Sequence, residues 1–155
     1  MKAKEIQAPH EIACEEGYVC VFLAGSIEMG KAEEWQRKLI NDLQDENYIF
    51  LNPRRNDWDS TWEQKITNPN FYEQVNWELN ALECSDVIVM YFDPNTMSPI
   101  TLLELGIHAK SRKLIVYCPE GFWRKGNVDI VCEKYNIKQV DSFRSEEHTS
   151  ELQSH

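Results

Sequence analysis

The sequence predicts an α/β fold, a parallel sheet covered by helices on both faces. Three observations predict it. Short apolar runs alternate with longer stretches of helical period along most of the chain. The runs are apolar throughout, as suits strands buried on both faces. Strand and helix alternate one for one, and joining parallel neighbours requires such crossovers. The 155 residues suit one domain rather than two.

Met1 to Glu16 is polar and aperiodic and is expected to be a flexible lead-in before a domain spanning 17–143. Tyr18 to Ala24 (YVCVFLA) is the first predicted strand, ending at Gly25. Lys31 to Glu46 carries Trp35, Leu39 and Leu43 at helical spacing among charges, the pattern of an amphipathic helix. Tyr48 to Leu51 is a second strand. Asn52 to Asn70, rich in Asn, Pro, Asp and Trp, is a long loop of the kind that carries function. Phe71 to Cys84 is helical, with Val75, Leu79 and Leu82 on one side. Asp86 to Phe92 is a third strand. Ser98 to Lys110 is a third helix, with Ser98 as N-cap and Pro99 in its first position. Lys113 to Cys118 is a fourth strand, Asn127 to Tyr135 a short helix, and Ile137 to Val140 a fifth strand.

Composition narrows the function. Lys plus Arg is 16 against 26 Asp plus Glu, a net charge of -10, which argues against a nucleic-acid polymer or anionic membrane as partner. A small anionic ligand held locally remains compatible. No apolar run reaches the roughly 20 residues of a membrane helix, and the N-terminal residues lack a signal-peptide core. Five widely spaced cysteines, an odd number without a CxxC pair, argue against a disulfide framework or zinc knuckle and suit a reducing cytoplasm. Burial is the expected role of Cys20, Cys84, Cys118 and Cys132.

Ligands of such sheets bind beyond the carboxyl ends of the strands. That edge gathers Gly25 to Gly30, Asn52 to Trp62, Asp93 to Ser98 and Pro119 to Asn127. Gly25-Ser26-Ile27 is either a phosphate or sugar cradle or a plain turn; it is neither GxGxxG nor a P-loop. Arg54 and Arg55 can hold a phosphate or an acidic side chain, and Trp58 and Trp62 can stack on a base; an aromatic-capped surface loop with internal Arg–Asp pairs is the alternative. Thr101, Glu104 and His108 share one stripe of an otherwise apolar helix. Either the stripe faces water, or Glu104 sits in a pocket as nucleophile or base, with His108 placed to orient it. Glu78 is either a solvated charge or its partner, and two carboxyl groups around an anomeric carbon suit glycosyl transfer.

Three segments together resemble the nucleoside 2-deoxyribosyltransferase family, including the related 2′-deoxynucleoside 5′-phosphate N-hydrolases. They are Phe22-Leu23-Ala24-Gly25-Ser26-Ile27, Trp77-Glu78-Leu79-Asn80-Ala81-Leu82 followed by Ser85-Asp86, and Ser98 to Ala109 with Glu104-Leu105-Gly106. The resemblance runs from about Tyr18 to Ile137. It implies a flavodoxin/Rossmann-like three-layer sandwich with a five-stranded parallel sheet, a homo-oligomer with shared active sites, and no metal or organic cofactor. It implies Glu104 as the nucleophile attacking C1′ of a nucleoside or its 5′-phosphate, with Glu78 assisting departure of the base. Gly25, Ser26, Ile27, Arg54, Asp57, Trp58, Ser98 and Asn127 are the expected substrate-binding residues. Transferases of this family tend to carry Asp where this chain has Ser98, and the monophosphate hydrolases Ser. A hydroxyl at a helix N-terminus accepts a phosphate that an Asp would repel. The chain departs from the family at Phe22, where Tyr is common, and at Glu78, where Asp is usual. A nucleotide-sensing module without turnover is the alternative reading. The last residues, Arg144 to His155 (RSEEHTSELQSH), resemble a translated sequencing-library adapter and are expected to be a disordered, artefactual tail.

Overall fold

The computed structural model describes residues 2–26, 34–55, 59 and 61–142. Its strands are β1 (Lys4–Gln7), β2 (Val19–Gly25), β3 (Tyr48–Asn52), β4 (Val87–Tyr91), β5 (Leu114–Tyr117) and β6 (Lys138–Gln139). Its helices are α1 (Trp35–Asp42), α2 (Pro69–Cys84), α3 (Pro99–His108) and α4 (Lys125–Tyr135). All pairings are parallel, in the order β1-β3-β2-β4-β5-β6.

The three-layer α/β reading holds, with one more strand than expected. The polar segment read as a flexible lead-in carries β1, which pairs with β3 in the register Lys4↔Ile49 to Gln7↔Asn52. An edge strand needs backbone partners more than an apolar run, so its side chains gave little signal. From β2 onward the order is the doubly wound one that reverses between β2 and β4, and that reversal is where ligands of such sheets sit.

Side-chain alternation along β2 feeds two cores. Cys20, Phe22 and Ala24 face a layer containing Trp77, Ala81 and Leu82 of α2, Leu105 of α3 and Val128 of α4. Val21 and Leu23 face Trp35, Leu39 and Ile40 of α1, with Tyr48 and Val89. The apolar face read from Trp35, Leu39 and Leu43 is therefore the buried one. α2 starts at Pro69, where Asn68 caps it by accepting from the Phe71 amide at 3.0 Å.

Cysteine usage needs correction. Cys14 and Cys20 are joined as a disulfide, with their Cα atoms 6.3 Å apart. Cys118 and Cys132 are buried as expected, but Cys84 is exposed on the last turn of α2. Among the described residues no helix is long and apolar enough to cross a membrane. The expected disordered tail lies outside the described residues.

Candidate active site

The third predicted helix turns its polar stripe inward. Thr101, Glu104 and His108 are buried, Glu104 only 5% exposed. Its apolar residues Ile100, Leu103 and Ile107 face outward, Leu103 59% exposed. Simple amphipathicity would orient α3 the other way. α2 shows the same inversion in part. Gln74 is buried beside Trp77, Ala81 and Leu82, while Tyr72, Val75 and Leu79 face outward. The grouping of Val75 and Leu79 with Leu82 is thus corrected: Leu82 alone of the three lies in the core.

The two inward polar stripes meet. The carboxyl groups of Glu78 and Glu104 face each other closely enough that each acts on the other's proton. Two carboxylates in contact cannot both ionise freely, so the pair must share a proton. Burial pushes Glu78 up to about 7, opposed by hydrogen bonds from Gln74 and Glu104. Burial, then the charge and hydrogen bond of Glu78, hold Glu104 well above the usual carboxylate range. His108 does not orient Glu104. It lies one turn further along, its pKa lowered first by burial, with Glu83 and Lys113 as its charged neighbours.

Gln74 and Arg55 support this pair, and the sequence reading missed that role for both. Gln74 Nε2 donates to Glu78 Oε2 at 2.9 Å and to the Pro53 carbonyl at 3.0 Å. Gln74 Oε1 accepts from Arg55 Nη1 at 3.3 Å. The Arg55 guanidinium lies 3.6 Å from Glu73 and 5.2 Å from the centre of the Trp62 ring, so that ring stacks on a cation. Only the helical offset of four between Gln74 and Glu78 was available as a signal.

A hydroxyl cluster occupies the reversal between β2 and β4. Ser26 Oγ accepts from the Asp93 amide at 2.8 Å and from Thr96 Oγ1 at 3.1 Å, and it is hydrogen-bonded to Ser98. Thr96 Oγ1 also lies 2.7 Å from Ser98 Oγ. Ser98 is the N-cap of α3 as expected, but its side chain makes no capping bond. It adopts φ 46°, a left-handed conformation that costs a non-glycine residue about 1–2 kcal/mol, and its hydroxyl points back into the cluster.

Gly25 ends β2 for reasons of packing. A Cβ there would lie 2.5 Å from the Tyr91 carbonyl oxygen and 2.8 Å from the Trp35 ring. Arg54 Nε donates to Gln36 Oε1 at 3.3 Å; burial lowers its pKa and Glu34 opposes this. Arg55 is the arginine that hydrogen-bonds to Gln74 beside the carboxyl pair. Asn127 is exposed on the first turn of α4. Ile27, Asp57 and Trp58 lie outside the described residues. Phe22 stacks near Trp77, with ring centres 6.4 Å apart, and the Trp77 indole donates to the His10 carbonyl at 2.7 Å. A cavity of about 370 Å³ lies at the amino-terminal end of β5, lined by Lys110, Arg112, Lys134 and Lys138 among others, and it does not include Glu78 or Glu104. Among the described residues no group of three or more His, Cys, Asp and Glu side chains converges as a metal site would require.

A doubly wound parallel sheet with a proton-sharing carboxyl pair and a hydroxyl cluster at its carboxyl edge is the frame of a small-molecule α/β domain. A model of the family described as nucleoside 2-deoxyribosyltransferase like matches residues 18–122, more than half of the chain, and the chain belongs to that family. The matched stretch contains Ser26, Glu78, Ser98 and Glu104. No curated protein matches the chain.

Proposed function

We propose that the chain cleaves or transfers the N-glycosidic bond of a (deoxy)nucleoside or its 5′-monophosphate through a glycosyl ester on Glu104. The observation that carries this reading is the Glu78–Glu104 pair, two raised carboxyl groups facing each other on helices that turn polar side chains inward and several apolar ones outward. At rest the stronger shift keeps the shared proton on Glu104; the reactive arrangement is reached when that proton passes to Glu78 and leaves Glu104 ionised. A Glu104 oxygen attacks C1′, the C1′–N bond breaks, and its electron pair leaves with the base. Glu78 supplies the proton the base nitrogen gains. Water or a second base then attacks C1′, displaces Glu104 and returns its proton to Glu78. Two inversions retain the configuration. The step needs no metal or organic cofactor.

The cluster of Ser26, Thr96 and Ser98 supports a 5′-phosphorylated sugar. Hydroxyls at the start of α3 suit an anion there, where a carboxylate would not. The outward apolar residues Ile100, Leu103 and Ile107 of α3, with Tyr72, Val75 and Leu79 of α2, support a homo-oligomer built on that side.

The test is incubation with separate deoxynucleosides and deoxynucleoside 5′-monophosphates, with and without a free base, followed by chromatography. Free base without acceptor means hydrolysis; a new nucleoside only with acceptor means transfer. Glu104→Gln is expected to lower turnover at least 1,000-fold, on the order of losing a covalent nucleophile, with an unchanged circular dichroism spectrum. Wild-type rates in that variant would refute the mechanism. A nucleotide-sensing module is the second reading, favoured by Phe22, whose ring is buried against Trp77 and offers no hydroxyl to the nucleophile. Tight nucleotide binding without base release would establish it.

A further inference from the structure

We propose that Gln74, held in orientation by Arg55, is the positioning residue that fixes the Glu78 carboxylate against Glu104. The inference rests on the reading of that pair as the reacting groups. Gln74 lies one helical turn before Glu78 on α2 and is 4% exposed. An arginine can only donate, so Arg55 can meet only the oxygen end of the Gln74 amide. That contact, at 3.3 Å, settles which way the amide faces and turns its nitrogen towards Glu78. The nitrogen then donates to Glu78 Oε2 at 2.9 Å and to the Pro53 carbonyl at 3.0 Å. One Glu78 oxygen is thereby tied, and the carboxyl group cannot rotate freely away from Glu104. The Arg55 side chain is itself buried, clamped between Glu73 and the Trp62 ring.

The charged groups facing Glu78 among the described residues are Glu104 from α3 and, behind Gln74, Arg55 from the segment after β3 with Glu73 from α2. An N–H donor favours the ionised form of its acceptor. Gln74 thus opposes the burial that raises the pair. Without it, the pair should hold its shared protons to higher pH. Rotation of Glu78 would also misplace the proton that the leaving base must receive, so turnover should suffer more than substrate binding.

The experiment uses protein labelled with ¹³C at the glutamate side-chain carboxyl and follows the pair by NMR titration in wild type, Gln74→Met, Arg55→Met and the double variant. The pH profiles of kcat and KM for base release are measured alongside. Methionine keeps the length of glutamine and removes the donor. In Gln74→Met the titrations are expected to move up by about one pH unit. The acid limb of kcat should move with them, with KM changed much less than kcat. Arg55→Met should shift the titrations in the same direction by less, and it tests the same amide if Gln74→Met does not fold. The double variant should go no further than Gln74→Met, because the two residues act through one amide. Titrations unmoved in both single variants would overturn the proposal. Absence of turnover in the wild type would instead overturn the reading of the site as catalytic; the NMR titration, which needs no substrate, would still decide the role of Gln74.

Discussion

At the scale of single residues, the carboxyl pair ties stability to pH. Glu78 and Glu104 hold protons in the folded chain that a solvated carboxyl group releases near 4.5. The sign follows. A group whose pKa is raised by folding contributes stability below its unfolded value, and that contribution is lost as pH rises through the folded value. For Glu78 the window runs from 4.5 to about 7, and the loss is at most about 3 kcal/mol. The urea midpoint of the wild type is therefore expected to fall between pH 5 and pH 8. Glu78→Gln should flatten that fall and leave the protein more stable than wild type at pH 8. An equally steep fall in the variant would contradict this account. Ser98 belongs to the same scale. The sequence identified it as the residue opening α3, and it is, but its left-handed backbone directs the hydroxyl to Ser26 and Thr96 rather than onto the helix. Strained residues of this kind gather at functional sites.

At the scale of elements, α3 is the informative one. Its existence, its start at Pro99 and its polar stripe were legible from residue types and spacing. Which side faces the core was not, because an apolar helix bearing one polar stripe ordinarily turns that stripe to water. The reversal leaves Ile100, Leu103 and Ile107 facing solvent in a single subunit. If a second copy covers them, Leu103→Asp should convert an oligomer into a monomer by analytical ultracentrifugation, weakening association by at least about 2 kcal/mol. A wild type that is monomeric at tens of micromolar would reject that arrangement. β1 teaches the opposite lesson. Its four residues look like a polar lead-in, and pairing with β3 makes them a strand. Arg55 and Gln74 show the same limit. They are 19 residues apart, and only the path of the loop after β3 brings them into contact.

At the scale of the whole molecule, the candidate site depends on how closely β2, β4 and α1 approach each other. Gly25 pairs with Tyr91 in the sheet, and Trp35 covers it. A methyl group there would meet the β4 backbone, which cannot move without disturbing Asp93, Thr96 and the hydroxyl cluster beyond. Gly25→Ala is expected to destabilise the fold by about 1–3 kcal/mol in urea denaturation. A loss under about 0.5 kcal/mol would show that the sheet yields more easily than its packing suggests.

The alternation of strands and helices and the candidacy of the two glutamates were legible from residue order alone, because period, run length and residue chemistry are local properties. The packing of the layers set the rest: that the two glutamates face each other, that α3 buries its polar stripe, that Cys14 bonds to Cys20, and that Arg55 and Gln74 stand behind Glu78. Apart from the Cys14–Cys20 pair, six residues apart across the turn before β2, each of these is a contact between segments distant in sequence or a choice between two faces of one element. Such choices depend on how the layers pack against one another, and no local pattern of residues encodes that.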